Sequence, residues 1–246
     1  MAKEIYKNVG ETTGDLSNRI KKTYNCTKVA ICGKLDPMAR GITKYLVDGD
    51  TKLMQNYLNN VKTYEFNLVL GLKTDTDDIM GIVSELDDTR YDFNSINAIL
   101  ESMMTETKQH FHPFSAIKCR IGNERKSLHQ WTLEGKCDHK SLPEKQVTVY
   151  NMDIGYPVEI NIKDYILSIK NRLSLVNDTN CKVFRINDII NSWNNILYNT
   201  DNQKKIVTIK LKMQVSSGYY IRMISYYLYY RYKINSHIFD IHRTET

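Results

Sequence analysis

No apolar run in this 246-residue chain approaches the ~18–20 residues that a bilayer-spanning helix requires, which excludes an integral membrane protein of that kind. The opening residues, Met-Ala-Lys-Glu-Ile-Tyr-Lys-Asn, hold no apolar signal core and form no basic amphipathic presequence. The expected compartment is therefore the cytosol, with the nucleus as alternative. Cysteine is sparse and odd in number, five scattered residues at 26, 32, 119, 137 and 181. Outside a secretory context they read as reduced thiols, and the sequons at Asn25 and Asn177 carry no meaning. His110, His112, Cys119, His129, Cys137 and His139 are close in the chain, yet no C-x-x-C or H-x-x-x-H spacing occurs, so no zinc site is expected. No repeat of fixed period is present. Charge of one sign is also scarce in excess: 34 basic against 28 acidic residues leave +6, which permits a polyanionic partner without demanding one.

Hydrophobic residues at 41% and charged residues at 25% are those of a globular chain, of a length that suits one elaborate domain. Seventeen tyrosines, many near lysine or arginine, suit the stacking of unpaired bases beside phosphates but equally suit strand packing. Thr12-Thr13 ahead of Leu16, Ile20 and Tyr24 predicts a capped helix with a basic outer side. Residues 28–32 predict a buried strand closed by Gly33. Tyr64, Phe66, Leu68, Leu70 and Leu72 predict one apolar strand face, and 147–154 a further strand. Asn94-Ser95 predicts a cap for a helix through Met104. Val207, Ile209, Leu211, Met213 and Val215 alternate with lysines in another strand, and 221–232 predicts a core-facing helix. Grouped strands point to an α+β fold with a largely antiparallel sheet. Residues 157–203, with helical stretches around Tyr165–Leu173 and Trp193 joined by Asn/Asp-rich turns, are expected to be an insertion packed on that sheet.

One segment carries chemistry. Gly33-Lys34-Leu35-Asp36-Pro37-Met38-Ala39-Arg40-Gly41 sets a carboxylate between glycines and directly before a proline, which pushes Asp36 out of helical geometry and presents it at a loop tip. Taken with Gly49-Asp50-Thr51-Lys52, this segment resembles the catalytic motif of the TruB family of pseudouridine synthases, to which dyskerin-type enzymes also belong. The resemblance continues in order. Residues 62–66 are similar to the family's K-x-Y strand, 70–77 to L-G-x-x-T-D-T, and 113–118 to P-x-Y-S-A-x-K. Further on, 147–150 is similar to I-x-V-Y, 217–222 to S-x-G-T-Y-I-R and 237–243 to H-V-x-x-L-R-R.

The resemblance implies a bent, mixed, mostly antiparallel central sheet flanked by helices and loops, and isomerisation of uridine to pseudouridine in RNA, at the T-loop uridine (position 55) of tRNA. Asp36 is then the catalytic carboxylate, Arg222 its ionic partner, and Tyr64 the ring that stacks on the flipped uracil and assists removal of the C5 proton. Tyr220 and Ile241 line the pocket, and Lys7, Lys118 and Arg243 contact substrate. Residues 112–145 correspond to a thumb-like RNA-binding loop, with Lys118, Arg120, Arg125, Lys126, Lys136 and Lys140 available to phosphates. No cofactor or metal is needed, because one glycosidic bond is broken and another made without redox change. Whether the carboxylate adds to the ring or the sugar, or takes a ribose proton, stays open. The expected partner is the tRNA T-arm, the expected state a monomer, and no C-terminal PUA-type domain is expected after the last motif.

Three positions depart from the pattern. Ile31-Cys32 stand where the family has a histidine, Asn8 replaces the proline of K-P-x-G, and Phe114 replaces the tyrosine of Y-S-A. Two other functions fit the same residues: a guide-dependent or mRNA-directed synthase with the same chemistry, and a non-catalytic RNA-binding tRNA chaperone on a synthase scaffold. Asp75, Asp77 and Asp78 are expected to cap a strand end.

Overall fold

The structure, a computed structural model, describes every residue except Asp88, His139, Lys140 and Asn202, and no side chain at Glu85 or Asp178. His139 of the histidine and cysteine group and Lys140 of the basic loop thus lie outside the described residues. The centre is a seven-stranded sheet of β1 (Lys3–Lys7), β2 (Val29–Cys32), β3 (Arg40–Val47), β4 (Lys62–Leu70), β11 (Val149–Asn161), β12 (Lys205–Val215) and β13 (Ser236–Glu245). Their order is β1-β3-β13-β4-β12-β11, with β2 added to β3. Every pairing is antiparallel except β13 with β3. The mixed, mostly antiparallel sheet of an α+β fold is present as expected.

Alternation along the strands divides the apolar residues between the sheet's two faces. Tyr64, Phe66, Leu68 and Leu70 of β4 join Ile209, Leu211, Met213 and Val215 of β12 in one core. That core is closed by α2 (Phe93–Ser102) and α7 (Met223–Tyr232), through Ile96 and Leu100 and through Ile224, Tyr227 and Leu228. On the other face Val69 and Ile206 pack with Leu72, Ile79 and Met80 against α4 (Ile162–Leu173) and α6 (Ile186–Asn199). Trp193 is fully buried there and meets the Tyr165 ring edge-on at 6.3 Å. Helix α1 (Thr13–Tyr24) seals Ile31 and Tyr45 with Leu16 and Ile20, and its capping box joins Thr12 and Asp15 reciprocally.

Four expectations shift. Leu72 does not continue the Tyr64 face: Gly71, at φ +87°, ends β4, and Leu72 opens β5 (Leu72–Thr74) facing the opposite core. The cap of α2 is Asp92, whose carboxylate accepts from the Ser95 amide at 2.9 Å, two residues before the expected site. Strand β11 runs past Ile154 to Asn161, pairing with β12 through Asn161 opposite Lys205, so the expected insertion leaves the sheet at Ile162 and not at 157. Strands β1, β3 and β13 form where no strand is read from the sequence. The segment corresponding to the thumb-like loop folds as a hairpin of β8 (Lys118–Ile121) and β9 (Glu124–Ser127) followed by α3 (Leu128–Leu133).

Candidate active site

Asp36 sits on the connection between β2 and β3. The Ala39 amide donates to the Asp36 carbonyl at 3.0 Å, closing a turn with Pro37 at its second position, the place proline prefers. Gly41, at φ +127°, lies so close to Arg243 that an added Cβ would fall 2.1 Å from its carbonyl oxygen. The loop is braced from beneath. Lys7 donates from Nζ to the carbonyls of Asn8 (3.0 Å), Pro37 (3.0 Å) and Ala39 (2.6 Å), while Arg243 donates to those of Ile42 (2.6 Å) and Gly33 (3.1 Å). Both cations are buried, and burial lowers the Lys7 pKa to about 8. Lys7 is thus corrected from a substrate contact to a strut, because three carbonyls consume its donors. Arg243 is partly a strut as well, but its charge also reaches the Tyr64 phenol and it lines the cleft.

That cleft, of about 520 Å³, is bordered by Asp36, Tyr64, Tyr220, Ile241, Arg222 and Arg243, so six of the eight expected site residues share one cavity. Lys118, the eighth, is exposed on the hairpin that follows Ser115, Ala116 and Ile117 at the cleft margin. Burial raises the Tyr64 pKa, an effect that Arg243 opposes. Tyr220 is held by its backbone on Gln109, whose side chain accepts from the amide at 2.8 Å and donates to the carbonyl at 3.2 Å. The Lys145 ammonium lies 4.1 Å above the Tyr220 ring, a cation–π contact within the favourable range.

Arg222 is the hub. Its Nε donates to Asp36 Oδ2 at 2.8 Å and stands 3.5 Å from Asp78 Oδ2. Its Nη1 donates to the Thr76 carbonyl (2.9 Å) and to His112 Nδ1 (3.2 Å), and its Nη2 to the Phe114 carbonyl (3.2 Å). Burial works against its charge, but the carboxylates of Asp36 and Asp78 outweigh it and keep the guanidinium protonated. Asp36 is the member open to solvent, its side chain 37% exposed against 4% for Arg222. A carboxylate fixed at one oxygen and open at the other can act on a bound substrate as nucleophile or base.

Behind Arg222 lies a buried network that the sequence did not reveal. His112 Nδ1 accepts from the Phe114 amide at 3.1 Å as well as from Arg222, which leaves the ring proton on Nε2 to be donated to Asp77 Oδ2 at 3.0 Å. Burial, and then Arg222, lower the His112 pKa to about 4, so the ring is neutral. Lys73 donates to the other Asp77 oxygen at 2.6 Å. Asp78 accepts from Thr76 Oγ1 (2.6 Å) and the Met80 amide (2.9 Å), and burial raises its pKa to about 6. Asp77 and Asp78 therefore anchor the hub and are not simple strand caps; Asp75, which accepts from the Ile82 amide at 2.9 Å, closes a turn without touching Arg222. The aspartates could have been suspected from the T-D-T resemblance. For His112, a lone histidine before Pro113, no spacing signal existed. Among the described residues, no cluster of three or more His, Cys, Asp or Glu could hold a metal ion, and no helix is long and apolar enough to cross a membrane.

On the basic hairpin, Lys126 is engaged by Glu124 and Glu134 and lies 4.7 Å over the Trp131 ring, and Lys136 pairs with Glu134. Lys118, Arg120 and Arg125 are exposed.

Comparison with known proteins agrees with this geometry. Residues 21–170 match the family model described as TruB family pseudouridylate synthase, N-terminal domain. The tRNA pseudouridine synthase B of Gluconacetobacter diazotrophicus is 32% identical over 150 residues, 61% of this chain and 47% of that protein. The enzyme of the same name from Acholeplasma laidlawii is 30% identical over 178 residues, 70% and 62% respectively, and tRNA pseudouridine synthase 4 of Saccharomyces cerevisiae is 28% identical over 146. The chain thus spans between about a third and two thirds of the length of these curated relatives. A crystal structure of a Cbf5–Nop10–Gar1 complex shares the fold over 99% of this chain and 48% of that one, at 14% identity and a TM-score of 0.55. With the family model covering well over half of its residues, and Asp36 and Arg222 paired at the cleft, the chain belongs to the TruB family of pseudouridylate synthases.

Proposed function

We propose that the chain isomerises uridine to pseudouridine in RNA, with the T-loop uridine of tRNA as its substrate. The observation that carries this reading is the Asp36–Arg222 pair at the mouth of a cleft walled by Tyr64 and Tyr220, in a loop matching the family's catalytic motif. The reaction breaks the N1–C1′ bond of the nucleotide, forms C5–C1′, moves a proton from C5 to solvent and leaves a proton on N1. Asp36 begins it by adding to the base or sugar, or by taking a ribose proton, and Arg222 keeps it aimed. Everting the uracil from its stack costs a few kcal/mol, least in a preformed loop, and the rings of Tyr64 and Tyr220 receive it in a water-poor space. Because burial holds Tyr64 as a phenol, its first role is as a platform; it takes the C5 proton only if its own hydroxyl proton passes to solvent in the same step. The exposed Lys118, Arg120 and Arg125 of the thumb-like hairpin would meet backbone phosphates in this reading. A cytosolic monomer acting without guide RNA or cofactor is the simplest state for this chemistry.

The test is incubation of purified protein with a tRNA T-arm transcript, without guide RNA, followed by pseudouridine mapping. Product at the T-loop uridine is expected, and Asp36→Asn should lower the rate by at least ~10³-fold, as loss of a nucleophile or base does. Product that survives this change would remove Asp36 from the chemistry, and tight binding without product would favour the chaperone function.

A further inference from the structure

Residues between β11 and β12 reach the cavity beside Asp36 through Phe184 and Arg185. Helix α5 (Asp178–Cys181) ends in a turn that delivers Phe184 and Arg185 to a small cavity of about 60 Å³. Asp36, Asp78, Thr76, Phe114 and Arg222 line the same cavity, which shares Asp36 and Arg222 with the main cleft. Arg185 sits in left-handed backbone, φ 57° and ψ 33°, immediately before α6. That conformation is unusual for a residue with a Cβ and brings the chain round so that its side chain faces the site. Its Nη1 lies 3.0 Å from Asp75 Oδ2, and its guanidinium lies 5.5 Å from the centre of the Phe114 ring.

The geometry points to Arg185 as a positioning residue for the Asp36–Arg222 pair, acting through the two loops that it clamps. This inference rests on the function proposed above. The first loop, 75–82, is held by Asp75, whose Oδ1 accepts from the Ile82 amide while Oδ2 takes Arg185. It gives Arg222 the Thr76 carbonyl and the Asp78 carboxylate. The second loop, 112–115, gives Arg222 the Phe114 carbonyl and His112 Nδ1, and its Phe114 ring is the one under Arg185. Arg222 is thus oriented by groups on two segments that are not adjacent in sequence, and Arg185 ties those segments together from outside. Arg185 touches neither Asp36 nor the open cleft. Without the clamp the two loops stay joined at their buried edge by the His112–Asp77 bond but can part at their outer edge, so the four loop acceptors around Arg222 no longer hold one arrangement and the Asp36 oxygen loses its aim. Helices α4 and α6 serve the same end, since Met38 of the catalytic loop and Met80 of the Asp75 loop are packed in the core those helices form.

Arg185→Gly separates side chain from backbone, because glycine accepts the left-handed conformation without strain. The expected result is an unchanged melting temperature, an RNA Kd within about twofold of wild type, and a single-turnover rate lower by about tenfold or more, the order that small misplacement of a catalytic group produces. Asp75→Asn should do the same, and the double variant should be no slower than the slower single one. The Arg222 Nε–H resonance, which reports the hydrogen bond to Asp36 whether or not turnover occurs, should shift or broaden in Arg185→Gly. A rate within twofold of wild type, a loss confined to Kd, independent additive losses in the double variant, or an unmoved Arg222 signal would each overturn the inference. If wild-type protein itself forms no pseudouridine, the proposed function fails, and the Arg222 resonance alone then decides the positioning role.

Discussion

The two faces of the central sheet are stabilised by different means. On the helical face, α4 and α6 bury Tyr165, Ile166, Ile169, Ile189 and Trp193 in an apolar core. On the cleft side, next to an equally apolar core, the loops enclose Arg222, Asp77, Asp78 and His112, whose burial is costly and tolerable only because each is hydrogen-bonded or ion-paired. One face maximises stability, and the other spends some of it to hold a carboxylate ready. Substitutions should therefore trade off differently on the two faces.

The largest expected effect is on the helical face. Trp193→Ala removes a fully buried indole and should cost about 3–5 kcal/mol in urea unfolding, whereas Asp36→Asn, at the open end of the cleft network, should leave the midpoint nearly unchanged. Equal losses from the two would erase the contrast.

Acid provides the second test. Burial lowers the pKa of His112 and of His237 to about 4, the latter beside Tyr165 and Trp193 on the helical face. Each contributes stability that is present above the ordinary histidine pKa of about 6.5 and lost as pH falls from there toward 4, at most about 3 kcal/mol each. Asp78 has the opposite sign: with its pKa raised to about 6, its contribution grows as pH falls through 6 and offsets His112 on the cleft side. His237 has no such offset. Between pH 6.5 and 4, His237→Gln should flatten the fall in unfolding free energy and Asp78→Asn should steepen it. Identical pH slopes in wild type and both variants would break the comparison. The smallest effect serves as a control remote from both faces: Thr12→Ala, which removes the cap of α1, should cost about 1 kcal/mol and leave any catalytic rate unchanged.

The strands that alternate clearly were legible, β4 and β12 above all, because a period of two needs only one apolar face and a register. β1, β3 and β13 were not, since Lys7, Thr43 and Arg243 are polar residues buried by hydrogen bonds to carbonyls 32, 10 and 201 residues away, which no local pattern announces. Leu72 was assigned to the wrong face because a period of two was carried across Gly71, where the chain changes course. That Asp36, Tyr64 and Arg222 line one cleft could be read because the order of motifs is specific. Lys7 was misassigned because a lysine near a catalytic loop looks the same whether its ammonium faces RNA or three carbonyls.

What the linear order of residues settled is the candidate carboxylate Asp36, the residues it meets across the cleft and the class of sheet, since each depends on side-chain chemistry or on spacing a few residues long. Which groups encircle Arg222, which lysine is a strut and where Arg185 lands belong to the folded molecule alone. The contacts of Arg222 and Arg185 join residues more than 100 apart and the Lys7 strut reaches carbonyls about 30 residues on, and only the simultaneous burial of all of them determines which donors and acceptors meet.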